Sequence, residues 1–259
     1  MKPSALILFA PGTNRDGDVA QALSLAGASS RTIPLKTLRD NKIDWADHQI
    51  LVLPGGFSYA DALGAGKLLA LDLSHYFIDQ VQAFVAAGKP VIGICNGFQV
   101  LVKSGILPGN EALTETRTAT LTHNQGNHFE CRWVSLKPVS QKCLWTKNLT
   151  EIIDCPVAHG EGNFTLTTLD QAKTLSIQDQ IALVYVHSDG KPAGGVYPVN
   201  PNGSVMDIAG ICNPQGNVLG LMPHPEDHVF PFQSPDRIHR PNASGLPLFI
   251  NGVRYASES

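Results

Sequence analysis

A short apolar run, Pro90-Val91-Ile92, leads into Gly93-Ile94-Cys95-Asn96-Gly97 and then Phe98-Gln99-Val100-Leu101-Val102, and this junction constrains the fold more than any other stretch. The first run is β-branched and reads as a buried strand, and the last can continue as a helix. Cys95 is therefore the apex of a tight strand-to-helix turn, held above a sheet in a crowded backbone conformation. Residues two before and two after such an apex must be small, and both are glycine. The new helix aims its first N–H groups at the sulfur, which favours thiolate over thiol. The turn thus presents an activated nucleophile.

The chain up to this turn alternates strand-like and helix-like patterns, which points to a parallel sheet covered on both faces. Residues 5–9 form a first strand. Val19, Ala22, Leu23 and Ala26 recur at i, i+3, i+4 and i+7 and predict an amphipathic helix closed by Gly27. Residues 32–35 read as a weaker strand and residues 49–53 as a fully apolar one. The latter runs into Pro54-Gly55-Gly56, where the backbone turns sharply or admits a ligand closely, so a site at the carboxyl ends of the strands is implied. Phe77, Val81 and Phe84 place an apolar stripe on a helix that Gly88 stops.

After Gly105 the pattern changes to strands with polar alternation, at residues 118–122, 129–136, 151–158 and 181–187, which reads as a mixed or antiparallel extension of the sheet. Residues 205–211 and 217–222 flank Cys212-Asn213-Pro214-Gln215-Gly216 and predict a hairpin. The proline-rich segment 223–244 has no apolar period and reads as a long ordered loop of the kind that often carries function. Leu246, Phe249, Ile250 and Val253 restore helical spacing and predict a packed closing helix. The 259 residues, 43% of them hydrophobic, fit one α/β domain over 1–259.

Charge and cysteine content narrow the partners. A net charge of -3 with scattered basic residues gives no footprint for nucleic acid. The apolar run near Met1 is too short for a signal peptide or a membrane span, and five cysteines without paired spacing argue against a disulfide framework. A cytoplasmic protein with no membrane contact is expected.

A thiolate nucleophile needs a base held in one tautomer by a third group. Of nine histidines, His224 stands out in Pro223-His224-Pro225-Glu226, where a strand delivers it and a carboxylate follows. The prolines enforce an extended backbone, in which residues i and i+2 project to one side, so Glu226 reaches the ring of His224. A buried cysteine is ordinarily inert packing, and Cys131, Cys143, Cys155 and Cys212 keep that reading. The flanking glycines move Cys95 away from it. His224 with His228, and His123 with His128 and Cys131, are the candidate zinc ligands by spacing. Pro225 breaks the helix that the first pair needs, and positions 128 and 131 face opposite sides of a strand. No metal is expected. For an oxyanion, the Asn96 N–H is one donor and the Gly55-Gly56 turn another. That turn alone is equally an ordinary one; beside a cysteine elbow the oxyanion reading is preferable.

Together these residues resemble the class I glutamine amidotransferases, whose glutaminase domains carry a Cys-His-Glu triad on a flavodoxin-like, three-layer sheet. Pro54-Gly55-Gly56-Phe57-Ser58-Tyr59, the Cys95 elbow, Phe129-Glu130-Cys131-Arg132-Trp133 and Ala158-His159-Gly160-Glu161-Gly162 narrow the resemblance to the glutaminase subunits of phosphoribosylformylglycinamidine synthase. The resemblance spans nearly the whole chain and implies Cys95 as nucleophile, His224 as base and later acid, and Glu226 as orienting carboxylate. It also implies oxyanion N–H groups on Gly56 and Asn96, with Gly55, Phe57 and Gln99 against the substrate. Such a chain hydrolyses glutamine through a thioester and needs no cofactor of its own. Its ammonia passes to a separate formylglycinamidine ribonucleotide synthetase subunit, which uses ATP and Mg, with a small bridging subunit as a further partner. The absence of a Gly-rich Lys-Ser/Thr phosphate loop agrees with ATP chemistry elsewhere.

Two positions depart from the family pattern: Arg15, where many relatives place a cysteine, and Asp227, where many place an arginine. Arg237, His239 and Arg240 make the 223–244 segment a candidate docking surface for the synthetase. The competing readings are a class I glutaminase serving a different synthetase, a non-catalytic regulatory protein of this fold, and a cysteine hydrolase or redox-responsive protein of related architecture.

Overall fold

The computed structural model describes residues 2–40, 43–109, 117–236, 242 and 244–258. Arg237, His239 and Arg240, the core of the candidate docking cluster, lie outside the described residues. In chain order the elements are β1 (Ser4–Phe9), α1 (Asp16–Leu25), β2 (Ser29–Pro34), α2 (Leu35–Asp40), β3 (Ile50–Leu53), α3 (Lys67–Asp72), α4 (Ile78–Ala86), β4 (Val91–Ile94) and α5 (Asn96–Lys103). The second half contributes β5 (Ala119–Thr122), β6 (Glu130–Pro138), β7 (Ile153–His159), β8 (Asn163–Leu166), α6 (Leu169–Ile177), β9 (Ile181–Val186), β10 (Ile208–Cys212), β11 (Val218–Leu221) and α7 (Leu246–Glu258).

Nine strands make one sheet in the order β2-β1-β3-β4-β11-β10-β9-β6-β7. The pairs from β2 to β11 are parallel, and those from β11 onward to β7 are antiparallel. The first five strands in that order follow the flavodoxin-like sequence, whose switch point gathers sites at the strands' carboxyl ends. Ala5, Leu6 and Ile7, consecutive in β1, are all 0% exposed, so both faces of the sheet are covered. The helices α1 and α7 pack together, as do α3 and α5, and α5 lies over β4 and β11. Mostly parallel strands with an antiparallel extension, as the sequence pattern implies, are what these residues form.

Residues 118–122 correct that pattern in one respect. Their strand, β5, pairs with β8 in a separate two-stranded sheet rather than extending the main one. The physical reason lies in α5, whose residues Asn96 to Val102 are all buried. A helix buried all round needs a cover on its outer side. The small sheet supplies it, with Phe164 of β8 stacked on Phe98 at a centroid distance of 6.0 Å. On the closing helix, Phe249 and Val253 are buried but Ile250 is 42% exposed, so the apolar stripe is narrower than its spacing implied.

Candidate functional site

Cys95 sits between β4 and α5 with φ 51° and ψ −105°, a backbone state that costs a non-glycine residue about 1–3 kcal/mol. It is over-determined by its neighbours. The Cys95 N–H donates to the Leu221 carbonyl at 2.8 Å, and its carbonyl accepts the first helical bond from the Gln99 N–H at 3.1 Å. A Cβ on Gly97 would lie 1.9 Å from the Leu53 carbonyl oxygen, and one on Gly93 would lie 2.5 Å from Leu101 Cδ1. The two small residues that the turn demands are thus needed to seat α5 against the ends of β3 and β4.

His224 leaves the end of β11 and its N–H donates to the Pro156 carbonyl at 2.8 Å. Its Nδ1 lies 2.7 Å from Glu226 Oε1, and both side chains are buried. The pairing is the expected one, reached by a different route. Pro225–His228 is a single 3-10 turn with proline at its first position, not extended chain. Proline's fixed φ suits a helical first position, and the turn swings Glu226 back under the ring. Burial pushes the His224 imidazole down, but Glu226 and Cys95 together outweigh it, and the ring is held well above its ordinary range. At neutral pH it is an imidazolium bound to Glu226 through Nδ1, with Cys95 adding to the upward shift and with Nε2 left without a hydrogen-bond partner among the described residues.

The glycine turn after β3 is clamped from the β1 side. The Phe57 N–H donates to the Gly12 carbonyl at 2.9 Å and the Arg15 N–H to the Gly55 carbonyl at 3.3 Å. Gly56 has φ 130°, and a Cβ there would lie 2.7 Å from the Asn14 nitrogen, so only glycine fits. Gly55 is placed against the His224 ring: a Cβ there would lie 2.7 Å from His224 Cε1. The Asn96 N–H heads α5 and has no intrahelical acceptor. Its side chain is locked by Ser58 Oγ at 2.6 Å, Asp61 Oδ1 at 3.0 Å and Gln99 Oε1 at 3.1 Å.

A cavity of about 170 Å³ opens beside the sulfur, lined among others by Phe57, Cys95, Gln99, Phe129, His159 and Glu161. Phe57 and Phe129 stack at 6.4 Å over its mouth. Gln99 spends its amide on the protein, donating to the Glu161 carbonyl at 2.7 Å, and so fixes the 160–162 loop as a wall of the cavity. Glu161 is tied in turn to the Ala65 N–H at 3.1 Å and to Lys103 Nζ at 3.3 Å. A larger cavity of about 440 Å³ lies at the opposite end of the sheet, between α4 and the β10–β11 turn, away from every group named above.

Sequence reasoning missed the facing wall. Asn124 donates to the His128 and His159 carbonyls at 3.0 and 2.8 Å, so its Oδ1 is the acceptor for the Gly162 N–H at 2.9 Å and for His159 Nδ1 at 3.0 Å. That fixes His159 as the Nδ1–H tautomer. Burial, with the nearby His224 charge, pushes this ring down to about 3, so it is neutral beside an imidazolium. The stretches from Asn124 to Trp133 and from Ala158 to Gly162 carry the family resemblance, which is the signal in the sequence for this wall. The left-handed residues Tyr59, Ala60 and Asp61 were also unforeseen; Ser58 and Asp61 hold them through Asn96.

His228 turns away from His224, its Nδ1 lying 2.6 Å from the Asp154 carbonyl oxygen. Among the described residues no group of three His, Cys, Asp or Glu side chains could hold a metal ion, and no helix is long and apolar enough to cross a membrane. Arg15 and Asp227, the two departures from the family pattern, lie against each other, with 3.5 Å between Nη1 and Oδ1.

The chain is similar over most of its length to known proteins. Residues 2–256 match the family described as the CobB/CobQ-like glutamine amidotransferase domain. Phosphoribosylformylglycinamidine synthase subunit PurQ of Treponema denticola is 58% identical over 241 residues, 88% of this chain and 89% of that one. The protein of the same name from Dehalococcoides mccartyi is 38% identical and covers 99% of each chain. The structure of PurLQS from Thermotoga maritima contains a similar chain, with a TM-score of 0.74, 31% identity and 98% and 99% of the two chains covered. A glutamine amidotransferase from the same organism, 15% identical with a TM-score of 0.57, shares the fold.

Proposed function

The chain belongs to the CobB/CobQ-like glutamine amidotransferase family, and from that premise we propose that it is the glutaminase subunit of phosphoribosylformylglycinamidine synthase in purine biosynthesis. It hydrolyses glutamine to glutamate and ammonia and passes the ammonia to a synthetase partner, with a small bridging subunit as a further partner; the likeness to a chain of PurLQS supports an assembly of this kind. One observation carries the chemistry: a strained, glycine-flanked Cys95 opens into a cavity beside a buried His224–Glu226 pair.

The Cys95 sulfur adds to the carboxamide carbon of glutamine, and the carbonyl π electrons move to oxygen. Gly56 and Asn96 N–H groups receive that oxyanion; a donor of this kind typically contributes about 2.7–4 kcal/mol. The tetrahedral intermediate collapses as the C–N bond breaks, the imidazolium of His224 gives its proton to the leaving nitrogen, and ammonia departs. The γ-glutamyl thioester remains. His224, now neutral, takes a proton from water as the oxygen attacks the thioester, and the C–S bond breaks to release glutamate and restore the thiolate–imidazolium pair. Glu226 keeps the imidazole in one orientation throughout. The ATP and Mg chemistry belongs to the synthetase, and the complex works in the cytoplasm.

The test is a paired assay with a formylglycinamide ribonucleotide synthetase, ATP and Mg, supplied with either glutamine or ammonia. Glutamine-dependent product formation that requires this chain, with glutamate released in step, is the expected result. Product from ammonia but none from glutamine would contradict the assignment.

A further inference from the structure

We propose that Arg15 and Asp227 are positioning residues that hold the electrostatic balance of the His224–Glu226 pair from behind, an inference that rests on the glutaminase reading of this site. Arg15 immediately precedes α1, and its Nη1 lies 3.1 Å from Asp18 Oδ2 and 3.5 Å from Asp227 Oδ1. A Cβ on Gly55 would meet both His224 Cε1 at 2.7 Å and Arg15 Cγ at 3.5 Å. The Arg15 stem and the imidazole therefore flank the same glycine. Asp227 follows Glu226 on the same turn, and its N–H donates to the His224 carbonyl at 3.2 Å. Neither Arg15 nor Asp227 is among the residues that line the cavity beside Cys95, and both lie next to the imidazole's own neighbours, Gly55 and Glu226.

The turn thus sets two carboxylates beside one imidazolium. Two such charges are unfavourable unless a cation takes one of them. Arg15 is that cation, and its attraction extends past Asp227 and Asp18 to Glu226. Burial, and next the charge of Glu226, push the Asp227 carboxyl up to about 6, so Asp227 is ionised at neutral pH with Arg15 opposite it. The other titratable groups facing His224 are Glu226, Cys95 and the neutral His159.

Opposite charges at the two positions give opposite signs when either is removed. Neutralising Arg15 leaves Asp227 uncompensated, which stabilises the His224 imidazolium and moves the alkaline limb of the glutaminase kcat/KM profile to higher pH. Neutralising Asp227 removes a negative charge beside the ring, leaves Arg15 with Asp18 alone, and moves that limb to lower pH. Neutralising both restores it.

The experiment measures pH profiles of glutamine hydrolysis by the complex with its synthetase for wild type, Arg15→Gln, Asp227→Asn, the double variant and Arg15→Lys. Shifts of about half a pH unit in opposite directions are expected for the single variants. The double variant and Arg15→Lys should fall on the wild-type limb, and KM for glutamine should change by less than about twofold in all of them. Single variants that shift the limb in the same direction, or lower kcat without moving it, would overturn the proposal, because a merely structural role predicts that. If Arg15→Gln does not fold, Asp227→Asn alone decides: a downward shift supports the pair and an unmoved limb overturns it. An inactive wild-type complex would instead overturn the glutaminase reading itself.

Discussion

Cys95→Ala is expected to lower glutamine hydrolysis by about 10⁶-fold in kcat, the loss typical when the nucleophile of an interdependent triad is removed. The reason is the absence of any substitute group. The cavity beside the sulfur is lined also by Gln99, Glu161 and the neutral His159, none of which can form a thioester. Alanine accepts the same turn with only the loss of a sulfur atom, so the melting temperature should stay close to wild type. Synthesis from free ammonia by the complex should survive, because nothing in that step uses the cysteine. Steady-state glutamate release, ammonia-dependent product formation and a melting curve check the three parts. Ammonia-dependent synthesis lost together with hydrolysis would mean that Cys95 supports the assembly and not the chemistry alone.

Glu226→Gln is expected to lower kcat by about 10³–10⁴-fold with little change in KM, as when the orienting carboxylate of a histidine-based triad is made neutral. Glutamine keeps the shape but can offer its N–H₂ to Nδ1, which selects the wrong tautomer. It also removes the larger of the two charges that together outweigh burial at His224. The sign of the stability effect follows from that shift. A histidine raised above its unfolded value contributes stability that is fully present below pH about 6.5 and fades as pH rises through the folded value. The melting-temperature difference between wild type and Glu226→Gln should therefore be largest below that pH and shrink in alkaline buffer. Rates at saturating glutamine and melting curves between pH 5.5 and pH 9.5 measure both; a difference that grew with pH would contradict the ion pair.

Much of the site was legible because its demands are local. A nucleophile at a strand-to-helix turn requires glycines at fixed offsets, and Gly93 and Gly97 stand at those offsets with backbone or side-chain atoms occupying the space a Cβ would need. Gly56 is legible for the same reason. The His224–Glu226 pairing was readable in the sequence, while its geometry was not: Pro225 starts a 3-10 turn and does not continue an extended chain, and His224 is anchored by the Pro156 carbonyl, a partner distant in sequence. Elements stabilised by distant partners were harder. Asn163–Leu166 is too short to announce a strand, and only its pairing with Ala119–Thr122 over the buried α5 makes it one. Thr168 and Gln171 do form a capping box at the start of α6, a local signal that the weak apolar pattern behind it obscured. Asn124, His159 and the Arg15–Asp227 pair depend on contacts between segments far apart in sequence, so only the fold reveals what those polar side chains face.

The proposed function requires that Cys95 forms a covalent γ-glutamyl intermediate with glutamine in the cavity beside it. Incubation with a diazo-ketone analogue of glutamine, with and without the synthetase, followed by mass spectrometry of the digested chain, tests it most directly. A single adduct on the peptide carrying Cys95, formed faster when the synthetase is present and absent from Cys95→Ala, is the predicted result. Equal labelling of Cys95→Ala, or an adduct on another residue, would contradict it.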